Sequence, residues 1–125
     1  MKVLIIDDDA DIRSIVRLSL GRLGGMEVVE AAGGAEGLRQ AQDEKPDAIL
    51  LDMMMPAMDG PATLAALRAQ PATATTPVIF LTAKAMRAEI DRLRDLGAAG
   101  VLIKPFDPRT LPGEVRALLE SPPAP

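Results

Sequence analysis

The sequence predicts a doubly wound α/β domain built on a parallel sheet, and two observations carry that prediction. Five short apolar runs, at residues 3–6, 28–29, 48–51, 78–81 and 101–103, alternate with longer stretches of helical period. The runs are continuously apolar rather than alternating apolar and polar, the pattern of strands covered on both faces. Regular strand and helix alternation of this kind forms parallel sheets joined by right-handed crossovers, with helices on each side.

In order along the chain, the first strand runs into Asp7, Asp8 and Asp9, with Asp11 after Ala10. Ile12, Ile15, Val16, Leu20 and Leu23 then recur at i, i+3, i+4, i+8 and i+11, one face of a helix that Gly24 and Gly25 end. A second helix fits residues 34–44, with Leu38 and Ala41 inward. Asp59, Gly60 and Pro61 open a third, with Leu64 and Leu67 inward; Pro61 suits a first turn, where its missing N–H is no loss. Met86, Ile90, Leu93 and Leu96 space a fourth helix that stops at Gly97. Leu111, Val115, Leu118 and Leu119 space a fifth, entered through Asp107 and Pro108, with Pro112 and Gly113 weakening its first turn.

At 125 residues the chain fits one domain over residues 1–120, followed by a Pro-rich tail at 121–125, with no internal repeat. No apolar run approaches the roughly 20 residues of a membrane span, and residues 1–6 are too short for the apolar core of a signal peptide. A cytoplasmic location and an output delivered in trans are the expectations. The chain has neither cysteine nor histidine, which removes thiol chemistry, disulfides, imidazole bases and imidazole metal ligands. With net charge −4 and only Phe80 and Phe106 as aromatics, direct nucleic-acid binding lacks both its cations and its stacking surfaces.

Ligands of doubly wound sheets sit beyond the carboxyl ends of the strands. There the sequence supplies Asp7 and Asp8 after the first strand, Asp52 after the third, Thr82 after the fourth and Lys104 after the fifth. Two unit charges about 4 Å apart repel by about 4 kcal/mol at an effective dielectric near 20, so three converging carboxylates need a cation. Lys104 is one; a hard divalent ion, usually Mg²⁺ when phosphate completes its shell, is another. A carboxylate, Mg²⁺, a lysine and a hydroxyl at one spot suit phosphoryl transfer, with an aspartate as nucleophile.

The segments IIDDD, ILLDMMMPAMDG, FLTAKA and VLIKPF, in this order and spacing, resemble the receiver domains of two-component response regulators. The resemblance covers essentially the whole chain. It implies a flavodoxin-like fold of strand order 2-1-3-4-5 with five helices. Asp52 matches the phosphoacceptor, charged from a sensor histidine kinase or a phosphotransfer protein. Asp7 and Asp8 match the acidic pair that holds Mg²⁺ directly or through water, and Met54 falls where a backbone carbonyl completes the metal shell. Lys104 matches the lysine that pairs with phosphoryl oxygens, followed by a proline in cis linkage, and Thr82 matches the hydroxyl that moves onto the phosphate. Asp9 then reads as a helix N-cap and Asp11 as a first-turn acid.

One position departs from the common pattern: Val101 stands where many members carry a rotating Tyr or Phe coupled to the threonine. Phosphorylation is therefore expected to be intact but its readout on the helix 4, strand 5, helix 5 face altered. Met54 and Lys84 occupy positions that set dephosphorylation rate in the family, and apolar Met54 implies a long phosphate lifetime. The expected output is phosphorylation-dependent binding of a downstream protein; homodimerisation through helices 4 and 5 stays open. A receiver-fold module that is never phosphorylated is the main alternative, with Val101 as its only support. An aspartate-nucleophile phosphatase with a D-x-D-x-T/V motif fits poorly, because position 11 is Asp. A flavin carrier would place phosphate where these aspartates repel it.

Overall fold

The computed structural model describes residues 1–83 and 86–120. Five parallel strands, β1 (Lys2–Ile6), β2 (Glu27–Ala31), β3 (Ala48–Asp52), β4 (Val78–Thr82) and β5 (Gly100–Ile103), lie in the order β2-β1-β3-β4-β5. The helices are α1 (Ala10–Val16), continuing without a break into a π-helical segment (Arg17–Leu23), then α2 (Gly34–Glu44), α3 (Gly60–Ala69), α4 (Arg87–Asp95) and α5 (Leu111–Glu120). Among the described residues no helix is long and apolar enough to cross a membrane. This is the flavodoxin-like receiver fold.

Side chains of the continuously apolar strands alternate between two cores. Leu4, Ile6, Ile49, Leu51, Val78 and Phe80 meet Ala41 of α2, Leu64 and Leu67 of α3 and Leu93 of α4. On the opposite face Val3, Ile5, Leu50, Ile79, Leu81 and Leu102 meet Val16 of α1, Leu20, and Leu111 and Val115 of α5. All residues of β3 and β4 are buried, which is why neither strand shows a polar face in the sequence.

Three sequence expectations are corrected. Ile15 and Leu23, assigned to the inner face of the first helix, are 37% and 63% exposed. A π-helical stretch has more residues per turn than the 3.6 assumed, so the face drifts beyond Arg17 and Leu23 leaves it; Ile15 precedes that stretch, and the drift does not account for its exposure. In α4 only Leu93 is buried; Met86 is the N-cap and, with Leu96, is solvent-exposed. The strands also run further than their apolar runs: β2 takes in Glu27, Glu30 and Ala31, while Asp52 and Thr82 are the last residues of β3 and β4 rather than the first beyond them.

Local chemistry explains how the loops at the carboxyl ends are held. Asp9 caps α1, its side chain accepting from the Asp11 N–H at 2.9 Å, and Asp11 lies in the first turn. Asp59 caps α3 through the Ala62 N–H at 2.9 Å. Gly60 is required there, because a Cβ would stand 2.7 Å from the Asp52 carbonyl oxygen and 2.9 Å from Met53 Cα. The helix start is thereby seated directly against the end of β3. In the loop between them Ala57 has φ +68°, within a γ-turn closed by the Met58 N–H on the Pro56 carbonyl at 2.7 Å.

Candidate functional site

The sheet delivers its charged residues from the carboxyl ends of β1, β3 and β5 to one edge, with β4 between the last two. The Asp7 N–H donates to the Ala31 carbonyl at 3.1 Å, extending the pairing with β2 by one residue before the chain turns into α1. Across the sheet the Met53 N–H donates to the Leu81 carbonyl at 3.1 Å, and the Lys104 N–H to the Thr82 carbonyl at 2.8 Å. The Lys104–Pro105 peptide is cis, as the resemblance implied.

Side chains of Asp7, Asp8, Asp9, Asp52, Thr82 and Lys104 line one cleft together with Met53, Met54 and Ala83. Asp7 is fully buried and Asp52 is 6% exposed, whereas Asp8 stands in solvent. The Lys104 Nζ donates to Asp7 Oδ2 at 2.9 Å and to Asp52 Oδ1 at 3.1 Å, bridging the two buried carboxylates. Asp7 Oδ1 accepts from the Asp9 N–H at 2.9 Å, and Asp52 Oδ1 accepts a long 3.5 Å contact from the Met54 N–H. The Met54 side chain is 80% exposed at the mouth.

Burial raises the Asp52 pKa, and the neighbouring Asp7 charge raises it further; hydrogen bonding and attraction from Lys104 only partly oppose this. Asp52 thus holds a proton more readily folded than unfolded, so its ionisation opposes folding as pH rises from the usual carboxylate range through the raised value. For Lys104, burial disfavours the ammonium, but hydrogen bonds and attraction from Asp7 and Asp52 outweigh it and hold its pKa above the ordinary lysine value. Among the described residues the cleft sets one cation, Lys104, against the carboxylates of Asp7, Asp8 and Asp52.

A divalent ion fits that arrangement. Asp7, Asp8 and Asp52 each offer a carboxylate oxygen, and the three oxygens lie within 4.8 Å of one another. An all-oxygen donor set without sulfur or imidazole suits Mg²⁺. Such an acidic triad is typical of the receiver Mg²⁺ site.

Val101 is half-buried in β5 against the core shared with α2, α3 and α4, outside the cleft. Lys84 and the 121–125 tail lie outside the described residues. Sequence reasoning passed over Arg13, whose Nη1 donates to the Asp7 carbonyl oxygen at 2.8 Å. A signal existed: a cation just past the first turn of a helix stands where the macrodipole disfavours positive charge, so it calls for a tertiary partner.

Residues 3–116 match the family described as Response regulator receiver domain. The chain is 38% identical over 120 residues to the alkaline phosphatase synthesis transcriptional regulatory protein PhoP of Bacillus subtilis, covering 94% of this chain and 48% of that protein. It is 42% identical over 120 residues to the transcriptional regulatory protein PrrA of Mycobacterium tuberculosis, covering 94% and 49%. The chain therefore spans about half the length of the curated relatives it matches. Among solved structures it resembles the chemotaxis response regulator CheY4 of Vibrio cholerae, with TM-score 0.87, 37% identity, and 94% of this chain and 97% of that chain covered. A response regulator of Chloroflexus aurantiacus superposes with TM-score 0.85 and 35% identity over 96% and 98% of the two chains. With the acidic cleft at the strand ends and this likeness over nearly its whole length, the chain belongs to the receiver-domain family of two-component response regulators, signalling proteins rather than turnover enzymes.

Proposed function

We propose that the chain accepts a phosphoryl group on Asp52 from a phosphohistidine of a sensor kinase or phosphotransfer protein, in a Mg²⁺-dependent reaction in the cytoplasm, and signals by binding a partner protein once phosphorylated. The observation that carries this reading is the Lys104 ammonium bridging Asp7 and Asp52 beside Asp8 in an open cleft. An Asp52 carboxylate oxygen attacks phosphorus as the P–N bond breaks; the electron pair leaves with the imidazole nitrogen and the acyl phosphate forms. Asp52 loses its own charge in that step, so the Lys104 ammonium is released to the phosphoryl oxygens, and the Thr82 hydroxyl at the end of β4 is suited to donate to them. Bound Mg²⁺ supplies charge neutralisation and orientation of phosphoryl oxygens. Asp7, Asp8, Asp52 and the Met54 backbone carbonyl would hold it.

Valine at 101 removes the aromatic half of the coupled switch, and its β-branched side chain is stiff at χ1. Readout through α4, β5 and α5 therefore rests on backbone and packing shifts between two populations. The transcriptional roles named for PhoP and PrrA belong to those longer proteins.

The test is incubation with Mg²⁺ and acetyl phosphate or beryllofluoride, comparing the wild type with Asp52→Asn by intact mass and thermal melting. An adduct and a melting shift present only in the wild type are expected; no Asp52-dependent change overturns the phosphoacceptor reading. The same preparation gives the phosphate lifetime. With exposed, apolar Met54 offering no hydrogen bond to an attacking water, a long lifetime is expected, and a half-life of seconds contradicts it.

A further inference from the structure

We propose that Arg13 is a positioning residue for the divalent-cation site and that it acts through the Asp7–Asp8 peptide; the proposal rests on the reading of the cleft just given. Pairing between β1 and β3 ends at Ile6 and Leu51, and only the Asp7 N–H continues the pairing toward β2. The Asp7 carbonyl oxygen lies past the last of these rungs and receives the Arg13 guanidinium, Nη1 to oxygen 2.8 Å. A peptide unit is planar, so holding that oxygen also fixes the direction in which Asp8 leaves the strand.

Asp8 needs this support more than its neighbours do. Asp7 is held by the Asp9 N–H on one carboxylate oxygen and Lys104 on the other, and Asp52 by Lys104. Among the described residues, no hydrogen bond or ion pair holds the exposed Asp8 carboxylate. Among those residues, its place in the metal-ligand set rests on its backbone.

Arg13 is itself braced. Its Nε meets Glu30 Oε1 at 3.3 Å, and the other oxygen of Glu30 accepts from Arg17 Nε at 2.6 Å. Glu30 stands on β2 in register with Ile5 of β1, so the guanidinium is fixed from a neighbouring strand as well as from its own helix. Arg13, Glu30 and Asp7 form a chain from β2 to the acidic cleft.

The sign of the effect separates positioning from simple charge. A cation beside an acidic cleft repels an incoming cation, so deleting Arg13 for its charge alone tightens Mg²⁺ binding. Deleting a group that orients a ligand weakens it, typically by tenfold or more. Calorimetric titration of Mg²⁺ into the wild type, Arg13→Ala, Arg13→Lys, Asp8→Asn and the Arg13→Ala/Asp8→Asn double variant decides this, with melting curves at several Mg²⁺ concentrations as a second readout.

The expected results are about tenfold weaker binding in Arg13→Ala, a smaller loss in Arg13→Lys, and no added loss in the double variant beyond Asp8→Asn. Equal or tighter binding in Arg13→Ala overturns the proposal, as does an undiminished Arg13→Ala effect when Asp8 is already changed. If Arg13→Ala does not fold, Glu30→Gln decides: weaker Mg²⁺ binding supports the bracing chain, and unchanged binding overturns it. Failure of the wild type itself to bind Mg²⁺ is a different result, because it removes the metal site rather than the role of Arg13.

Discussion

Helices α1 and α4 look alike in the sequence, each with one apolar stripe closed by glycine, yet the fold holds them very differently. The helical run that starts with α1 buries Val16 and Leu20, ties Asp7 through Arg13, and is fastened further along by the Ser19 hydroxyl donating to the Pro108 carbonyl at 2.5 Å and by Arg116 on the Gly24 carbonyl. Helix α4 buries Leu93 alone and carries surface pairs, Arg87 with Asp91 and Arg92 with Glu89. Exposed pairs of this kind contribute little. The α1 side is tied to the core and to the end of β1 by several contacts, whereas α4 is anchored by one buried leucine.

The comparison can be broken most forcefully at its hydrophobic anchors. Leu20→Ala is expected to cost about 3 kcal/mol of global stability, as large-to-small changes in a packed core do, measured by urea unfolding followed by circular dichroism. Leu93→Ala should instead release α4 locally, raising amide hydrogen exchange in α4 well before the β3 and β4 amides exchange. Equal protection of α4 and α1 in the wild type would refute the contrast. Next in size is the cleft: Lys104→Met leaves Asp7 and Asp52 facing each other without their cation, for an expected loss of about 2 kcal/mol, discounted from a fully buried pair because the Lys104 side chain is 21% exposed. Millimolar Mg²⁺ should restore part of that stability.

The smallest effect sharpens the picture within the loop after β3. Ala57 sits at φ +68°, a conformation costing a residue with a side chain about 1 kcal/mol. Ala57→Gly relieves that strain but gains chain entropy when unfolded, so a net stabilisation of about 0.5 kcal/mol is expected from paired melting curves. A destabilised Ala57→Gly would show that the turn is not strained.

Much of this was legible in the sequence because the signals are local. Continuous apolar runs announced the covered strands, and Asp9 ahead of the Ile12 to Leu20 stripe announced a cap. The polar residues at the strand ends could be grouped because a doubly wound sheet brings those ends together whatever the loops do. What could not be read depends on long-range partners. The inward side of Leu23 was misassigned because nothing local announces that the helix widens after Val16. The link from Arg13 to Asp7 was missed because it needs both the helix phase and the exact end of β1, and Glu30 was hidden inside a strand whose apolar run covers only Val28 and Val29.

One feature of the cleft also suits it to optical measurement. The chain contains no tryptophan and no tyrosine, so in the near ultraviolet it is almost dark. Met54 combines 80% exposure with a place two residues after Asp52, and its side chain carries none of the cleft's hydrogen bonds. Met54→Trp would give the protein a single emitter at the rim of its acidic pocket. Its intensity would then follow metal binding, phosphoryl arrival and hydrolysis in real time, without any background to subtract.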